Sequence, residues 1–404
     1  MKITDVRIVS VKGLLKAKGG MPIGWEDRLL MPLDIYPKYR ASPRIREWKE
    51  EVELVNVLVE TDEGITGMCP IWEREAEFQA YIIQNRLKEI LVGEDPFRVE
   101  MLWDHMYRSQ VEHGRKGWIL MAISTLDCAL WDLIGKSRGE PVYKLLGGPA
   151  RDEIEAYASM LGFSVKPKKA AETSVNMVEH GYTAMKWFFK YGPGDGAKGM
   201  DENLRLVRMI RDSVGYDVDL MLDAWMGWNR PYALKMLKRL ERYEPRWVEE
   251  PLIPDDIDGY AVLRASTDIP ISCGEHEYTI YGFKQLIDKE AVDILQPDVR
   301  WSGGFSQLRK ICALAEANGL PVIPHDGFTT IALQLLFSQT VTVCPIAEYL
   351  IKHNLISQAL LKNPVIPERG FLKLPDKPGL GIEIDEEKIT ERSLLEHEVR
   401  RINM

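Results

Sequence analysis

A chain of 404 residues with 45% hydrophobic and 28% charged side chains is large enough for two domains or for one large barrel with an accessory part. Its formal net charge of −9, with Lys and Arg interspersed among acids, leaves no basic footprint for nucleic acid. The N-terminus passes directly into alternating apolar positions, and no apolar run approaches a membrane span, so no membrane partner and a cytoplasmic location are expected. Five cysteines lie far apart without CxxC pairs, which suits reduced thiols.

Residues 1 to about 140 read as α+β. Val52 to Glu60 and Ile65 to Met68 flank the turn sequence TDEG, and Ile3 to Val9 supplies a third strand. Helical spacing follows over Glu75 to Leu91, Arg98 to Tyr107 and Trp118 to Ile134. Between the first strand and the hairpin, about 16–46 is rich in Gly, Pro, Trp and basic residues without a period, and such long loops often act as lids.

From Glu153 a regular beat begins, in which a short apolar run ends on a polar residue and an amphipathic helix follows. The runs are IEAYASM, TAMKWFF, VDLMLDA, RWVEEP, PISCGE, VDILQPD, LPVIPHD and PIAEYL. Eight strands alternating with helices, with no glycine fingerprint after the first, predict a closed barrel over 141–375. The segment 376–404, opening with DKPGLGIEID, is expected to return to the first domain.

Lys186, Asp223, Glu249, Glu275, Asp298, His325 and Glu348 fall one on each strand end from the second to the eighth, the rim where barrel chemistry sits. Asp223, Glu249 and Glu275 are spaced by 26 residues twice, one β/α step each. Three carboxylates converging at low dielectric repel unless a divalent cation lies among them, and an all-oxygen donor set favours Mg²⁺ over zinc. Glu250 points away from Glu249 by strand alternation and reads as a structural partner. Asp298 beside His325 would fix the imidazole tautomer and raise its basicity, making a catalytic dyad. Glu348 is expected to hold a proton and donate a hydrogen bond, the alternative being a salt-bridge acid.

These residues resemble the enolase superfamily, in its mandelate-racemase-like branch. The likeness runs through AISTLDCALWDLIGK, PVYKLLGG, LMLDAW, WVEEPL, SCGEH, ILQPDVRWSGG, PVIPHD and DKPGLGIEID, which span nearly the whole chain. It implies an α+β capping domain plus a modified TIM barrel, (β/α)7β, with Mg²⁺ on Asp223, Glu249 and Glu275. It also implies His325 with Asp298 as base and Glu348 on the opposite side of a substrate carboxylate; a His or Lys base beside Mg²⁺ is the general pattern of such sites.

Many members of the branch carry Lys-x-Lys on the second strand, whereas this chain reads Lys186-Trp187-Phe188. An aromatic ring replaces the second base, which disfavours a racemase or cycloisomerase and suits dehydration of a sugar acid to a 2-keto-3-deoxy acid. The L-rhamnonate dehydratases share this lack of a second Lys, the following Gly192-Pro193 and the fifth-strand Gly274-Glu275-His276. By that resemblance Lys186, His276 and Arg44 contact the substrate, with Arg46 an alternative to Arg44, and the protein is a homo-oligomer, an octamer in related members. Gly24-Trp25 departs from the His-Trp of that group and leaves the exact sugar open. A retaining glycosidase using Glu249 and Glu348 would need two carboxyls about 5 to 5.5 Å apart, and the neighbouring Asp223 and Glu275 argue against it.

Overall fold

Alternating buried and exposed side chains make Ile3–Leu14 a strand, β1, with one face on a core. It pairs antiparallel with β2 (Glu51–Thr61), which pairs with β3 (Thr66–Pro70) across the expected turn. The computed structural model describes residues 1–15, 24–36, 38, 51–71 and 76–396.

The helix Trp118–Arg138 packs on β2 and β3 and on the barrel helix Gly304–Ala317. It is long and apolar enough by composition to cross a membrane, contrary to the sequence expectation. Its most apolar window is 89% buried inside the protein, as a core helix should be. Gly139 ends it in the left-handed conformation, φ 68°. The helix expected over Glu75 to Leu91 is interrupted: Ala76–Ile82 and Lys88–Leu91 flank a wider π-turn at Ile83–Leu87.

Seven parallel strands follow as a curled sheet: β4 (Glu153–Ser159), β5 (Ala184–Phe188), β6 (Asp219–Asp223), β7 (Trp247–Glu249), β8 (Ile271–Cys273), β9 (Ile294–Leu295) and β10 (Ala347–Leu350). Their order is β10-β4-β5-β6-β7-β8-β9, and β11 (Phe371–Lys373) adds antiparallel to β4. The predicted strand around Val322 to His325 is reduced to isolated parallel bridges, Leu295 to Val322 and Asp298 to His325. The last strand, β12 (Ile389–Leu394), pairs antiparallel with β1.

Two-residue periodicity then builds the interior in layers. Tyr157, Ala184, Met221, Trp247, Ile294, Ile323 and Ile346 form one buried apolar cluster inside the barrel. Two residues further along their strands lie Ser159, Lys186, Asp223, Glu249, Gln296, His325 and Glu348, all buried. A polar layer therefore rests on an apolar plug at the C-terminal ends of the strands.

Candidate active site

Register places Asp223 beside Glu249, and Glu249 beside Ser272. Glu275 reaches the same rim by a different route. Gly274 breaks the strand with φ 138°, where a Cβ would lie 2.9 Å from the Gln296 backbone nitrogen. Only glycine takes that conformation without strain.

A cavity of about 330 Å³ opens above this layer. Its lining includes Asp223, Glu275, His276 and His325; the rest of the wall is largely apolar, with Trp25, Leu29, Leu30, Leu161, Phe189 and Leu350 among its residues. Phe188 also lines it, at the position where a second lysine was expected. Lys186, Glu249, Asp298 and Glu348 lie beneath the cavity and do not line it.

His325 Nδ1 is 2.8 Å from Asp298 Oδ2, and its Nε2 is 3.7 Å from Glu275 Oε2. Burial opposes a charge on this imidazole, but Glu275, the Asp298 hydrogen bond and Glu348 outweigh it and raise the pKa to about 10. Trp301 stacks obliquely on His325, ring centroids 5.1 Å apart, and sits 5.9 Å from the His276 ring.

Lys186, expected at the substrate, is 1% exposed, with its ammonium 2.5 Å from Glu249 Oε1, 2.8 Å from Glu348 Oε1 and 3.4 Å from Asp223 Oδ2. It is an internal counter-ion, because these acids enclose it and leave no opening. Glu348, expected to carry a proton, lies against Lys186 and accepts from the Asp326 backbone nitrogen. Burial works against its charge, but Lys186 and His325 prevail and hold its carboxyl down at about 2. Arg44 and Arg46 lie outside the described residues.

Glu250 was the residue whose role alternation hid. Its φ of 40° breaks the strand pattern and aims the side chain at His276, whose Nδ1 lies 2.9 Å from both Glu250 oxygens. Burial lowers the His276 pKa, yet Glu250 and Glu275 raise it to about 9. Ligand atoms of Glu250, Glu275 and His276 lie within 4.8 Å of one another, a spacing open to a metal. His276 pairs with Glu250 at 2.9 Å and lies 3.6 Å from Glu275.

The donor chemistry of the phased trio suits a hard divalent cation. Six acids (Asp223, Glu249, Glu250, Glu275, Asp298 and Glu348) gather around Lys186, His276 and His325 as the nearby cationic groups. Burial and then Glu249 push the Asp223 carboxyl well above its usual range, although Lys186 pulls it down. Glu275 lies 3.3 Å from Trp225 Nε1 and 3.6 Å from His276 Nδ1, besides its contact with His325. Glu249 is more engaged: Trp247 Nε1 and Gln296 Nε2 donate to Oε2, while Lys186 holds Oε1. Asp223 and Glu275 thus face the cavity ready to bind, with Glu249 behind them in the same register.

Known proteins share this architecture. The family model described as enolase C-terminal domain-like matches residues 169–388, and that of the mandelate racemase / muconate lactonizing enzyme N-terminal domain matches 46–147. An L-rhamnonate dehydratase of Saccharopolyspora erythraea is 37% identical over 403 residues, covering 96% of this chain and 97% of that protein. The crystal structure of a rhamnonate dehydratase from Gibberella zeae complexed with Mg superposes with a TM-score of 0.81 at 30% identity, covering 96% of each chain. A racemase from Streptomyces coelicolor A3(2) with bound magnesium gives 0.79 at 26% identity, covering 96% and 98%. Capping sheet, curled parallel sheet and full-length relatives agree, and the chain belongs to the mandelate racemase / muconate lactonizing enzyme family of the enolase superfamily.

Proposed function

We propose that the protein is a Mg²⁺-dependent sugar acid dehydratase acting on L-rhamnonate or a similar 6-deoxy aldonic acid. The observation that carries this reading is the one-sided base: the His325–Asp298 dyad faces the cavity while Phe188 stands where a second base would be. A racemase needs a proton donor and acceptor on both faces, and an elimination needs one.

Asp223, Glu249 and Glu275 would hold the cation. When bound, it would offset the acidic rim, allow His325 to shed its proton, and polarise the substrate carboxylate. His325 Nε2 then takes the C2 proton, and Asp298 holds the imidazole by its Nδ1–H throughout. The protonated His325 returns that proton to the departing 3-hydroxyl, so water leaves and a 2-keto-3-deoxy acid forms. Lys186 keeps Glu249 and Glu348 in place from below. His276, held by Glu250, points a cationic ring into the cavity and is suited to a substrate hydroxyl.

The apolar wall supports the 6-deoxy preference, since a methyl group loses little by leaving water there and a hydroxymethyl would lose hydrogen bonds. The relatives named for rhamnonate dehydration support it independently. The test is a screen of aldonic acids with detection of 2-keto-3-deoxy products. L-Rhamnonate should be turned over and EDTA should abolish the activity. Turnover without metal, or C2 proton exchange in D₂O with inversion and no loss of water, would replace this reading by another. The homo-oligomer implied by the family is tested by light scattering.

A further inference from the structure

Part of the apolar wall of the cavity is built from a segment that belongs to neither sheet. Trp25, Leu29, Leu30 and Met31 line it, and a single buried cation ties their segment to the barrel. Lys352, just past β10 at the start of the helix Ile351–Ser357, is 3% exposed. Its ammonium donates to the Gly24 carbonyl at 3.0 Å, to Glu26 Oε1 at 2.8 Å and to the Gly162 carbonyl at 3.0 Å, and lies 4.5 Å from the centre of the Phe163 ring. Three acceptors match the three donors of an ammonium.

The surrounding contacts converge on the same junction. Glu26 N also donates to the Gly162 carbonyl, and Lys169 pairs with the other Glu26 oxygen. Asp27 accepts from Ser164 Oγ and Val165 N, and Leu30 N donates to the Phe189 carbonyl. A Cβ at Gly162 would lie 3.0 Å from Trp25 Cδ1, so the indole rests directly on the clamped loop.

We propose that Lys352 is a positioning residue that sets substrate selectivity. By gripping both the rim segment and the loop after β4, it fixes Trp25 and Leu29 to Met31 as a rigid apolar part of the wall that accepts a terminal methyl and rejects a hydroxymethyl. The inference rests on the dehydratase reading for its substrate, and on geometry for the clasp. Its residues lie outside the reacting centre, so binding and chemistry should separate.

The test uses the Mg²⁺-loaded enzyme with L-rhamnonate and with its 6-hydroxy counterpart, L-mannonate. In Lys352→Met, kcat/KM for L-rhamnonate should fall at least about tenfold, carried by KM with kcat within about threefold, and the preference over L-mannonate should fall at least about fivefold. Lys352→Arg, which keeps charge and donors, should recover most of both. Amide hydrogen exchange should quicken in 24–36 and stay unchanged in 219–223 and 271–275. If Lys352→Met does not fold, Glu26→Gln, which removes the anionic partner, should move the same quantities in the same direction. Unchanged exchange in 24–36 overturns the clasp whether or not any aldonic acid reacts. Faster exchange with unchanged preference overturns its role in selectivity. If neither acid is turned over by the wild type, the dehydratase reading fails and the selectivity role with it, while exchange alone judges the clasp.

Discussion

Asp298 Oδ2 lies 2.8 Å from His325 Nδ1, and Gly327 packs against that carboxylate so closely that a Cβ would collide with it. The carboxylate is also fixed from its other oxygen, which accepts from the Arg300 backbone nitrogen. Arg300 in turn donates to the carbonyls of Pro70 and Gly327, joining the end of β3 to the loop that carries the imidazole. The dyad is held by backbone on both strands, and Nε2 has one direction left, toward Glu275 and the cavity.

His325→Asn should abolish turnover and leave Mg²⁺ affinity within about threefold of wild type. Asp298→Asn should cost about 10² to 10⁴ in kcat, because the imidazole loses the partner that fixes its tautomer. Steady-state kinetics beside a metal titration checks both. A near-normal rate in His325→Asn would move the base elsewhere.

Lys186→Met removes the cation that lies among Glu249, Glu348 and Asp223. Breaking a buried ion pair leaves uncompensated charge and costs about 3 to 5 kcal/mol. The metal-free variant should melt well below wild type, and added Mg²⁺ should recover part of the loss by binding the folded form. Equal melting temperatures without metal would show that Lys186 is not the counter-ion described.

Gly274→Ala tests how Glu275 reaches the rim. The φ of 138° and the 2.9 Å approach to the Gln296 nitrogen leave no room for a methyl. The variant should lose roughly 1 to 3 kcal/mol of stability, and its Mg²⁺ affinity should fall about tenfold or more as the ligand shifts. Calorimetric titration with unchanged affinity would contradict this.

Asp127 joins the capping domain to the barrel by accepting from Ser306 N and Oγ. Burial raises its carboxyl to about 7, against the opposing pull of those hydrogen bonds. An unfolded Asp releases its proton near pH 3.9, so between about pH 4 and 7 the native state binds more protons than the unfolded one. Stability from this residue is therefore present at low pH and falls as pH rises through that window. Asp127→Asn has no such loss, and its melting temperature relative to wild type should rise between about pH 5 and about pH 8. A constant difference would contradict the assignment.

Much of the site was legible because strand geometry is periodic. Apolar plug residues and rim residues two places on, such as Met221 and Asp223 or Ile323 and His325, follow from alternation alone. Glu250 is a structural partner, as alternation suggested, but a positive φ aims it at His276, and no sequence signal marks that turn. Lys186 meets Glu249 and Glu348 two strands away on either side, and in sequence such a charge looks the same as one awaiting a ligand. Lys352 was invisible for the same reason, since its bond to Gly24 spans 328 residues. Trp301 stood in a quoted motif, but its place over His325 depends on the loop after β9.

The central claim is that the rim carboxylates bind one divalent cation. Calorimetric titration of the metal-stripped protein with Mg²⁺ tests it most directly. Wild type should take up one ion per chain, and Asp223→Asn and Glu275→Gln should each show no measurable binding. A wild type that takes up none, or variants that bind as wild type does, would contradict the account.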